Sequence, residues 1–320
     1  MPKQVIIGSQ PIGETSAVVV AGPRAAADIA WVSLRRHHGR ADAAAELSRH
    51  GPDRPLIVEP FSAADLGAIA EFADAVLVGA AWMQDFRLLS AVARIGLPVV
   101  IQRGPAATLD EWLAAAEYCV AEGNQRLILC ESGSRTHLPH PAIDLAMLGA
   151  ARERSGRPVL VDVSSHPELA VAALAAGAAG LLLGEDATPE QTAAVRDRAA
   201  VLGPLVRAED TATLPAARAA IDRVDAALAT LLERRATLAG IIQDLKPVGG
   251  FAGRDPERER QVVAAMATRA PRLGHDRLAR IMTAVIESGL ELAELDRPTE
   301  LGPLGAGEAA TADGLRRSTA

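Results

Sequence analysis

The chain has 320 residues, of which 49% are hydrophobic and 23% are charged, the balance of an ordinary globular protein. The formal net charge of −7 provides no basic surface for nucleic acid or for an anionic membrane. No apolar run reaches the roughly 18 residues that a membrane span requires. The first residues lack a signal peptide and the two cysteines lack a metal-binding spacing, so we expect a reduced, cytoplasmic protein.

Eight short runs rich in Val, Ile and Leu alternate with amphipathic stretches along the first 186 residues. Such runs are typical of buried parallel strands that are joined by crossover helices. The predicted strands are 16–22, 29–34, 55–60, 74–79, 98–104, 126–131, 158–164 and 179–184. Eight such units predict an α/β fold with a shortened (β/α)8 barrel of the TIM type, and an open doubly wound sheet is the alternative.

After residue 187 the pattern changes. We expect a helix at 189–203, a linker, and then an all-α domain of three helices at about 215–246, 255–271 and 276–295. The stretch from residue 297 is rich in small side chains and is predicted to be disordered. The expected limits are 1–200 for the barrel, 201–212 for the linker, 213–296 for the helical domain and 297–320 for the tail.

The first of the three helices carries widely spaced cations. The eleven residues from Arg235 to Lys246 make about three full turns, so both side chains share one face, roughly 16 Å apart. Arg218 lies seventeen residues before Arg235, roughly 25 Å away and about 260° round the helix. Arg218 therefore cannot reach the same pocket in its own chain, but it can reach the matching pocket of a dyad-related partner.

The second helix opens with charged residues on one side. Asp255, Arg258 and Glu259 stand at i, i+3 and i+4 and line one side of its first turn. With Arg235 and Lys246 they form a pocket of three cations and two carboxylates, which suits a small dianion that also carries a hydroxyl. Taken singly, each residue has an ordinary structural use: Asp255 before a proline is a good helix N-cap, and the others form common surface pairs.

This segment resembles the all-helical, AroQ-class chorismate mutases. The resemblance covers residues 214–292 and rests on LPAARAAIDRVDAALATLLERR, on the lysine that follows and on RDPERE. The residues at the family's active-site positions and spacings are Arg218, Arg235, Lys246, Asp255, Arg258 and Glu259.

The resemblance implies a Claisen rearrangement of chorismate to prephenate, which needs no nucleophile, proton shuttle, metal or cofactor. It implies that the three arginines bind the carboxylates of the substrate, the first of them from the partner subunit. Lys246 would donate to the breaking ether oxygen, and the two acidic residues would position the substrate, with Glu259 on its hydroxyl. Catalysis would come from holding the reactive conformer and from stabilising the charge that develops on the ether oxygen.

The third helix departs from the family pattern. Gly289 and Ala293 stand where the family usually has a serine and a glutamine, the latter a second donor to the ether oxygen. A one-residue shift would bring Ser288, Glu291 or Glu294 inward instead. Losing such a donor costs on the order of 3 kcal/mol, so we expect a weak mutase, or one that a partner protein restores.

Residues 55–190 resemble the short, single-barrel class of 3-deoxy-D-arabino-heptulosonate 7-phosphate (DAHP) synthases. The matching stretches are 98–136, 74–89 and 158–168. The resemblance implies common descent with enzymes that condense two phosphorylated substrates on a divalent metal. Descent alone does not imply activity, because function resides in the site residues.

The residues for that chemistry are replaced in this chain. The positions of three metal ligands hold Arg24, Ser165 and Gly184, and the positions of three substrate contacts hold Ala81, Gln102 and Ser132. The family residues that persist, which we expect to keep hydrogen bonds within the barrel, are Glu59, Arg103, Glu131 and Arg135. We therefore expect a degenerate barrel with no metal, no cofactor and no DAHP synthase activity.

The leading hypothesis is thus a chorismate mutase that acts as a homodimer or tetramer, with the barrel as scaffold, dimerisation platform or regulatory surface. The alternative is a non-catalytic regulatory protein of aromatic amino acid biosynthesis whose domains bind ligands or pathway enzymes. An active DAHP synthase is the third hypothesis. Turnover of chorismate separates the first two, and metal analysis with an aldol assay decides the third.

Overall fold

The computed structural model describes residues 4–13, 17–37, 42–50, 53–137, 139–206, 211–246 and 248–296. The chain divides into two compact units, Met1–Leu231 and Leu232–Ala320. The first unit contains a barrel, and the second contains the greater part of a helical region. The predicted tail at 297–320 and residues 207–210 of the predicted linker lie outside the described residues.

A two-stranded antiparallel hairpin precedes the barrel, formed by β1 (Val5–Ile7) and β2 (Gln10–Ile12). Gly8 makes the turn with a φ of 55°, and a Cβ at this position would come within 2.7 Å of a proline side chain. Ile7 and Ile12 are fully buried in the apolar cluster that fills the barrel interior. The hairpin is absent from the sequence-based prediction because three-residue strands are too short to show a period.

Eight parallel strands close into a barrel. They are β3 (Val18–Ala21), β4 (Ile29–Ser33), β5 (Leu56–Glu59), β6 (Ala75–Val78), β7 (Val99–Gln102), β8 (Leu127–Glu131), β9 (Val159–Asp162) and β10 (Gly180–Leu182). Each strand pairs in parallel with its neighbours in chain order, and the last pairs with the first. All eight predicted strands are confirmed, slightly shorter than predicted, and the closed barrel excludes the open-sheet alternative.

Helices cover the outside of the strands. In chain order they are α1 (Leu34–His37), α2 (Ala43–Leu47), α3 (Leu66–Phe72), α4 (Phe86–Arg94), α5 (Leu109–Ala121), α6 (Leu145–Ser155), α7 (Ala170–Ala175) and α8 (Pro189–Val206). One apolar layer lies between strands and helices, and a second fills the barrel. Trp112 on α5 is fully buried and donates its indole N–H to the Ile101 carbonyl at 3.1 Å. Both cysteines are buried and free.

Side-chain alternation along the strands determines which residues lie at the carboxyl-terminal end of the barrel, which we call the barrel mouth. The inward-facing apolar residues include Trp31, Ile57, Val100 and Leu160. Residues two positions further along a strand share the same face, which at the carboxyl ends of β4, β5, β7 and β9 gives Ser33, Glu59, Gln102 and Asp162. Functional residues of such barrels lie at this end.

Helix α8 is longer than predicted. A Gly-Pro pair indicates a helix end at Gly203, but α8 continues through Val206 into the predicted linker, with Pro204 inside it. A proline close to a helix end removes one backbone hydrogen bond, and the rest of α8 tolerates that loss. The predicted end of this helix is therefore wrong.

The helical region consists of α9 (Leu214–Leu245), α10 (Pro256–Arg269) and α11 (Gly274–Leu295), each within two residues of its predicted bounds. Helices α10 and α11 pack through a small buried cluster that contains Val263 and Met282. Among the described residues, no helix combines the length and the apolar character that crossing a membrane would take.

The apolar side chains of α9 stay about half exposed in the single chain. Their exposed fractions lie between 45% and 59% for Ile221, Leu228, Leu231, Leu238 and Ile241. Contiguous exposure of this kind is typical of a surface that binds another protein.

Candidate functional site

A cavity of about 400 Å³ lies among α9, α10 and α11, within the size range of small-molecule sites. Its lining residues are Arg235, Ala239, Ile242, Gln243, Lys246, Gly253, Arg254, Asp255, Arg258, Glu259, Val262, Ile286 and Leu290. Five of the six predicted site residues are in this set. The sixth, Arg218, is exposed near the start of α9 and does not line the cavity.

The turn before α10 places the acidic and basic residues of that helix. Asp255 caps α10 by accepting a hydrogen bond from the Arg258 backbone N–H at 3.0 Å, with a proline at the first helical position. A Cβ on Gly253 would lie 2.1 Å from the Val248 carbonyl oxygen, so only glycine fits this turn. The capped first turn then projects Arg258 and Glu259 into the lining, as their spacing predicts.

Two predicted cations are held by backbone carbonyls rather than by carboxylates. Lys246 Nζ donates to the Gly253 carbonyl at 2.8 Å, and Arg235 Nη1 donates to the Val285 carbonyl at 3.3 Å. Within the described part of the chain, neither these two nor Arg258 forms an ion pair. Their charges are thus oriented by neutral groups and stay available to an anion.

Arg254 belongs to the cavity but was not among the predicted residues. It donates through Nε and Nη2 to the two carboxylate oxygens of Glu259, at 2.9 and 2.8 Å, and through Nη1 to Glu287 at 3.0 Å. The hydrogen bonds from Arg254 lower the pKa of Glu259. Arg254 precedes the N-cap, where the chain has no helical phase, so a helical-wheel argument cannot place it.

The cavity concentrates positive charge in an acidic chain. Four of its lining residues are cationic and two are carboxylates, an excess of two positive charges, whereas the whole chain carries a formal charge of −7. A cavity with this excess is complementary to a small dianion.

Helix α11 contributes an apolar wall. Its residues in the lining are Ile286 and Leu290. Gly289 is buried beside them, and a Cβ there would lie 3.8 Å from Arg235 Nη1. Ala293 lines a different cavity, together with residues of α9 that include Thr237.

The polar neighbours on α11 do not replace the missing donor. Ser288, Glu291 and Glu294 are exposed and do not line the cavity. Ser288 instead donates its hydroxyl to the Ala284 carbonyl, one turn back, at 2.9 Å. The packing thus gives no support to the alternative one-residue shift, because Gly289 and Leu290 are buried at this point of α11.

The barrel mouth holds two networks of charged residues. Arg103 donates to both carboxylate oxygens of Glu131, at 2.6 and 2.7 Å, and both side chains are buried. Glu59 accepts from the Ser33 hydroxyl and lies 3.4 Å from Arg35 Nε, and burial raises the pKa of Glu59. These contacts agree with the structural role predicted for Glu59, Arg103 and Glu131. Arg135 is exposed, and its predicted side-chain role stays a prediction.

A smaller cavity, of about 220 Å³, opens beside these networks and is called the mouth cavity below. Its lining residues are Ala80, Gln102, Pro105, Ser132, Pro141, Ile143, Asp162, Ser164, Ser165 and His166. Gln102 Nε2 donates to Asp162 at 3.1 Å, and burial raises the pKa of Asp162. The lining contains no arginine and no lysine.

Comparison with protein families places the two parts of the chain. The model of the DAHP synthetase I family matches residues 37–212, and the model of chorismate mutase type II matches residues 217–294.

Two curated relatives match the barrel. A phospho-2-dehydro-3-deoxyheptonate aldolase from Thermotoga maritima is 35% identical over 145 residues, which cover 42% of this chain and 43% of that protein. A 2-dehydro-3-deoxyphosphooctonate aldolase from Acidithiobacillus ferrooxidans is 27% identical over 147 residues, covering 40% of this chain and 52% of that protein. The chain thus spans about half the length of the curated relatives it matches.

Two solved structures have the same barrel. A truncated form of the 3-deoxy-D-arabino-heptulosonate 7-phosphate synthase from Thermotoga maritima aligns with a TM-score of 0.54 and 25% identity, over 63% of this chain and 93% of that one. The DAHP synthase from the same organism aligns with a TM-score of 0.53 and 26% identity, over 59% and 67%. Since the first family model covers more than half of the sequence, the chain belongs to the DAHP synthetase I family and carries a type II chorismate mutase domain behind its barrel.

Proposed function

We propose that the helical domain converts chorismate to prephenate, in a site that two subunits share. The observation that carries this proposal is the cavity with an excess of two positive charges, which contains five residues expected at such a site. The substrate is a dianion with a hydroxyl, and its rearrangement is unimolecular. The domain therefore has only to hold the reactive conformer and to stabilise negative charge on the ether oxygen.

Each of the six residues expected from the sequence has a role in this proposal. Arg235 and Arg258 bind the substrate's carboxylates, and Arg218 of the partner subunit completes the clamp. Lys246 Nζ exchanges its bond to the Gly253 carbonyl for one to the ether oxygen. The carboxylates of Asp255 and Glu259 position the ring and its hydroxyl.

A homodimer formed along α9 supplies the missing arginine. The helix is 32 residues long, which corresponds to about 48 Å, so that an antiparallel copy can bring its Arg218 to the other end of α9, where the cavity lies. The half-exposed apolar residues of α9 give such a copy an apolar surface to cover. Analytical ultracentrifugation distinguishes such a dimer from a tetramer in which two dimers associate through their barrels.

We infer that the barrel does not carry out the aldol condensation of its family. That reaction implies a divalent metal, and the residues present do not fit one. Arg24 would repel a cation, Gly184 has no side chain, and His166 beside Ser165 has its Nδ1 engaged by Glu168 at 3.0 Å. Among the described residues, no three of His, Cys, Asp and Glu are grouped so as to hold a metal ion.

The residues of the mouth cavity also lack the groups that usually bind the phosphates of such substrates. The polar groups that line the mouth cavity are amide, hydroxyl, carboxylate and the imidazole of His166, and Gln102 and Ser132 occupy two positions where the resemblance implies cations. Phosphate sites need arginine, lysine or a row of backbone N–H groups. The barrel is thus proposed to serve as a scaffold, a dimerisation platform or a regulatory surface.

The apolar wall of α11 favours a second candidate function. With Ile286 and Leu290 in the lining, α11 contributes no polar side chain to the described cavity, and the proposal assigns the ether oxygen to Lys246. A non-catalytic protein that binds chorismate or prephenate, and that regulates an enzyme of aromatic amino acid biosynthesis, is compatible with the same charge. A mutase that reaches its full rate only with a partner enzyme is intermediate between the catalytic and the regulatory function.

Assays on the purified full chain separate these functions. We expect consumption of chorismate with formation of prephenate, and Arg235→Ala and Lys246→Ala should each lower kcat/KM at least a hundredfold. Arg260→Ala is the matched control, since Arg260 is exposed on α10 and pairs with Glu257. An inert wild type that binds prephenate supports the regulatory function, and an inert wild type that does not bind it refutes both.

A further inference from the structure

We propose that Arg254 is a positioning residue that fixes Glu259 as the acceptor for the ligand's hydroxyl and couples it to α11 through Glu287. This inference rests on the proposed function, because it assigns a new residue to the same site. Its basis is a single guanidinium that joins two carboxylates from two helices beside the cavity.

The geometry fixes the orientation of the Glu259 carboxylate. Two parallel N–H···O bonds, at 2.9 and 2.8 Å, hold both oxygens in the plane of the guanidinium. A lysine would offer a point charge without the fork and would leave the carboxylate free to rotate. Glu259 therefore has one defined orientation before any ligand arrives.

The paired carboxylate keeps acceptor capacity for a ligand. An ionised carboxylate has about four acceptor positions, and Arg254 uses one on each oxygen. The Glu259 side chain is 23% exposed and lines the cavity, so its remaining positions are open to a hydroxyl there. Because Arg254 keeps Glu259 ionised, the carboxylate accepts and does not donate.

Glu287 fixes Arg254 in turn. Its carboxylate on α11 accepts from Arg254 Nη1 at 3.0 Å, which uses the remaining side of the guanidinium. The residues that α11 places in the cavity lining are apolar. The ion pair with Glu287 is thus the polar link by which α11 acts on the ligand-binding carboxylate.

A purely structural ion pair makes different predictions. Its loss would lower the stability of the α10–α11 contact and would also raise the pKa of Glu259, but it would leave the pH profile of turnover unchanged. The positioning role requires, in addition, that the acid limb of turnover follows the raised pKa of Glu259.

The first measurement is the titration of Glu259 in the ligand-free full chain, by ¹³C NMR of glutamate-labelled protein with Glu259→Gln as the assignment. We expect a Glu259 pKa below the ordinary value of 4.5 in the wild type and a clear rise in Arg254→Gln. Arg260→Gln is the control, and it should leave the titration unchanged. An unchanged Glu259 titration in Arg254→Gln overturns the inference, whether or not the protein turns over chorismate.

The second measurement is the pH profile of kcat/KM for chorismate. In Arg254→Gln we expect a loss of roughly tenfold to a hundredfold near neutral pH and an acid limb that moves to higher pH. Arg254→Lys should keep the acid limb low but lose rate, because it restores charge without the fork. Glu287→Gln should have a smaller effect in the same direction, and wild-type profiles in all three variants would contradict the inference.

The two measurements distinguish the two ideas. If the wild type neither converts chorismate nor binds prephenate, the proposed function fails, and the Glu259 titration still decides whether Arg254 fixes this carboxylate. If the wild type is active and Arg254→Gln matches it in both the Glu259 titration and the pH profile, the proposed function is retained and the positioning role of Arg254 is rejected.

Discussion

The cationic residues of the helical cavity differ in how their charge is compensated. Arg254 is paired with carboxylates, whereas Arg235 and Lys246 donate to backbone carbonyls and form no ion pair among the described residues. The second group is the one that a dianion can engage without displacing an ion pair. Residues oriented by neutral partners are therefore the stronger candidates for direct contact with substrate.

The pKa of Glu259 makes a prediction about stability. A carboxyl whose pKa is lowered in the folded protein stabilises it above the ordinary value of 4.5, and that contribution is lost as pH falls through the lowered pKa. Glu259→Gln should therefore melt below the wild type at pH 7 and approach it at acidic pH. Thermal unfolding from pH 7 down to pH 3 measures this. A difference in Tm that stays constant across that range would contradict the pairing with Arg254.

Some site residues could be predicted from sequence at this scale and others could not. Helical spacing places Arg235 and Lys246 on one face, and Arg258 and Glu259 on one side of the next helix, because side-chain direction on a helix follows from residue number. That the two sets share a cavity is implied by the family resemblance and not by the spacing. Arg254 lies in an irregular turn whose path depends on tertiary contacts. The outward direction of Ser288 likewise depends on how α11 packs, which a one-residue ambiguity in alignment leaves open.

At the scale of elements, two glycines have opposite roles in the helical region. Gly289 lies inside α11, where an added Cβ meets only atoms at 3.8 Å, whereas an added Cβ on Gly253 would lie 2.1 Å from a carbonyl oxygen. Glycine inside a helix is less favourable than alanine by about 0.5–1 kcal/mol.

We therefore expect Gly289→Ala to raise the free energy of unfolding by about that amount and Gly253→Ala to lower it. Urea unfolding followed by circular dichroism measures both. The pair serves as its own control, since each variant adds one methyl group to a turn or helix of the same domain. Equal effects of the two substitutions would show that the backbone near Gly253 relaxes freely.

The elements themselves follow from sequence to different degrees. The eight barrel strands and the three long helices are predicted because each carries several repeats of its period. The strands of the β1–β2 hairpin are too short to show such a period. Pro204 predicts a helix end, but α8 continues past it to Val206. A sequence pattern thus predicts a helix or strand reliably when it repeats several times along that element, and unreliably when it occurs only once.

At the scale of the molecule, the chain joins a barrel whose described mouth cavity has no arginine or lysine in its lining to a helical domain whose cavity has four cationic residues. The barrel belongs to the DAHP synthetase I family, and our proposal that it binds no metal is open to test.

A thermal-shift measurement tests the metal directly. A divalent ion that binds the folded state raises Tm in proportion to the logarithm of its concentration above Kd. We expect millimolar Mn²⁺ to leave the Tm of the full chain unchanged and an aldol assay to give no DAHP. A saturable rise in Tm with Mn²⁺ that Asp162→Asn removes would show that the mouth binds metal after all.

A site shared between two subunits is tested most directly by mixing two inactive variants. Arg218→Ala and Lys246→Ala, unfolded together in equal amounts and refolded, should form mixed dimers in which one site has all its residues. Recovery of on the order of a quarter of wild-type activity is the predicted result. A mixture of Arg235→Ala and Lys246→Ala, which damage the same subunit's share of the site, should recover none. No recovery in the first mixture, with dimers present and the wild type active, would contradict a site that borrows Arg218 from its partner.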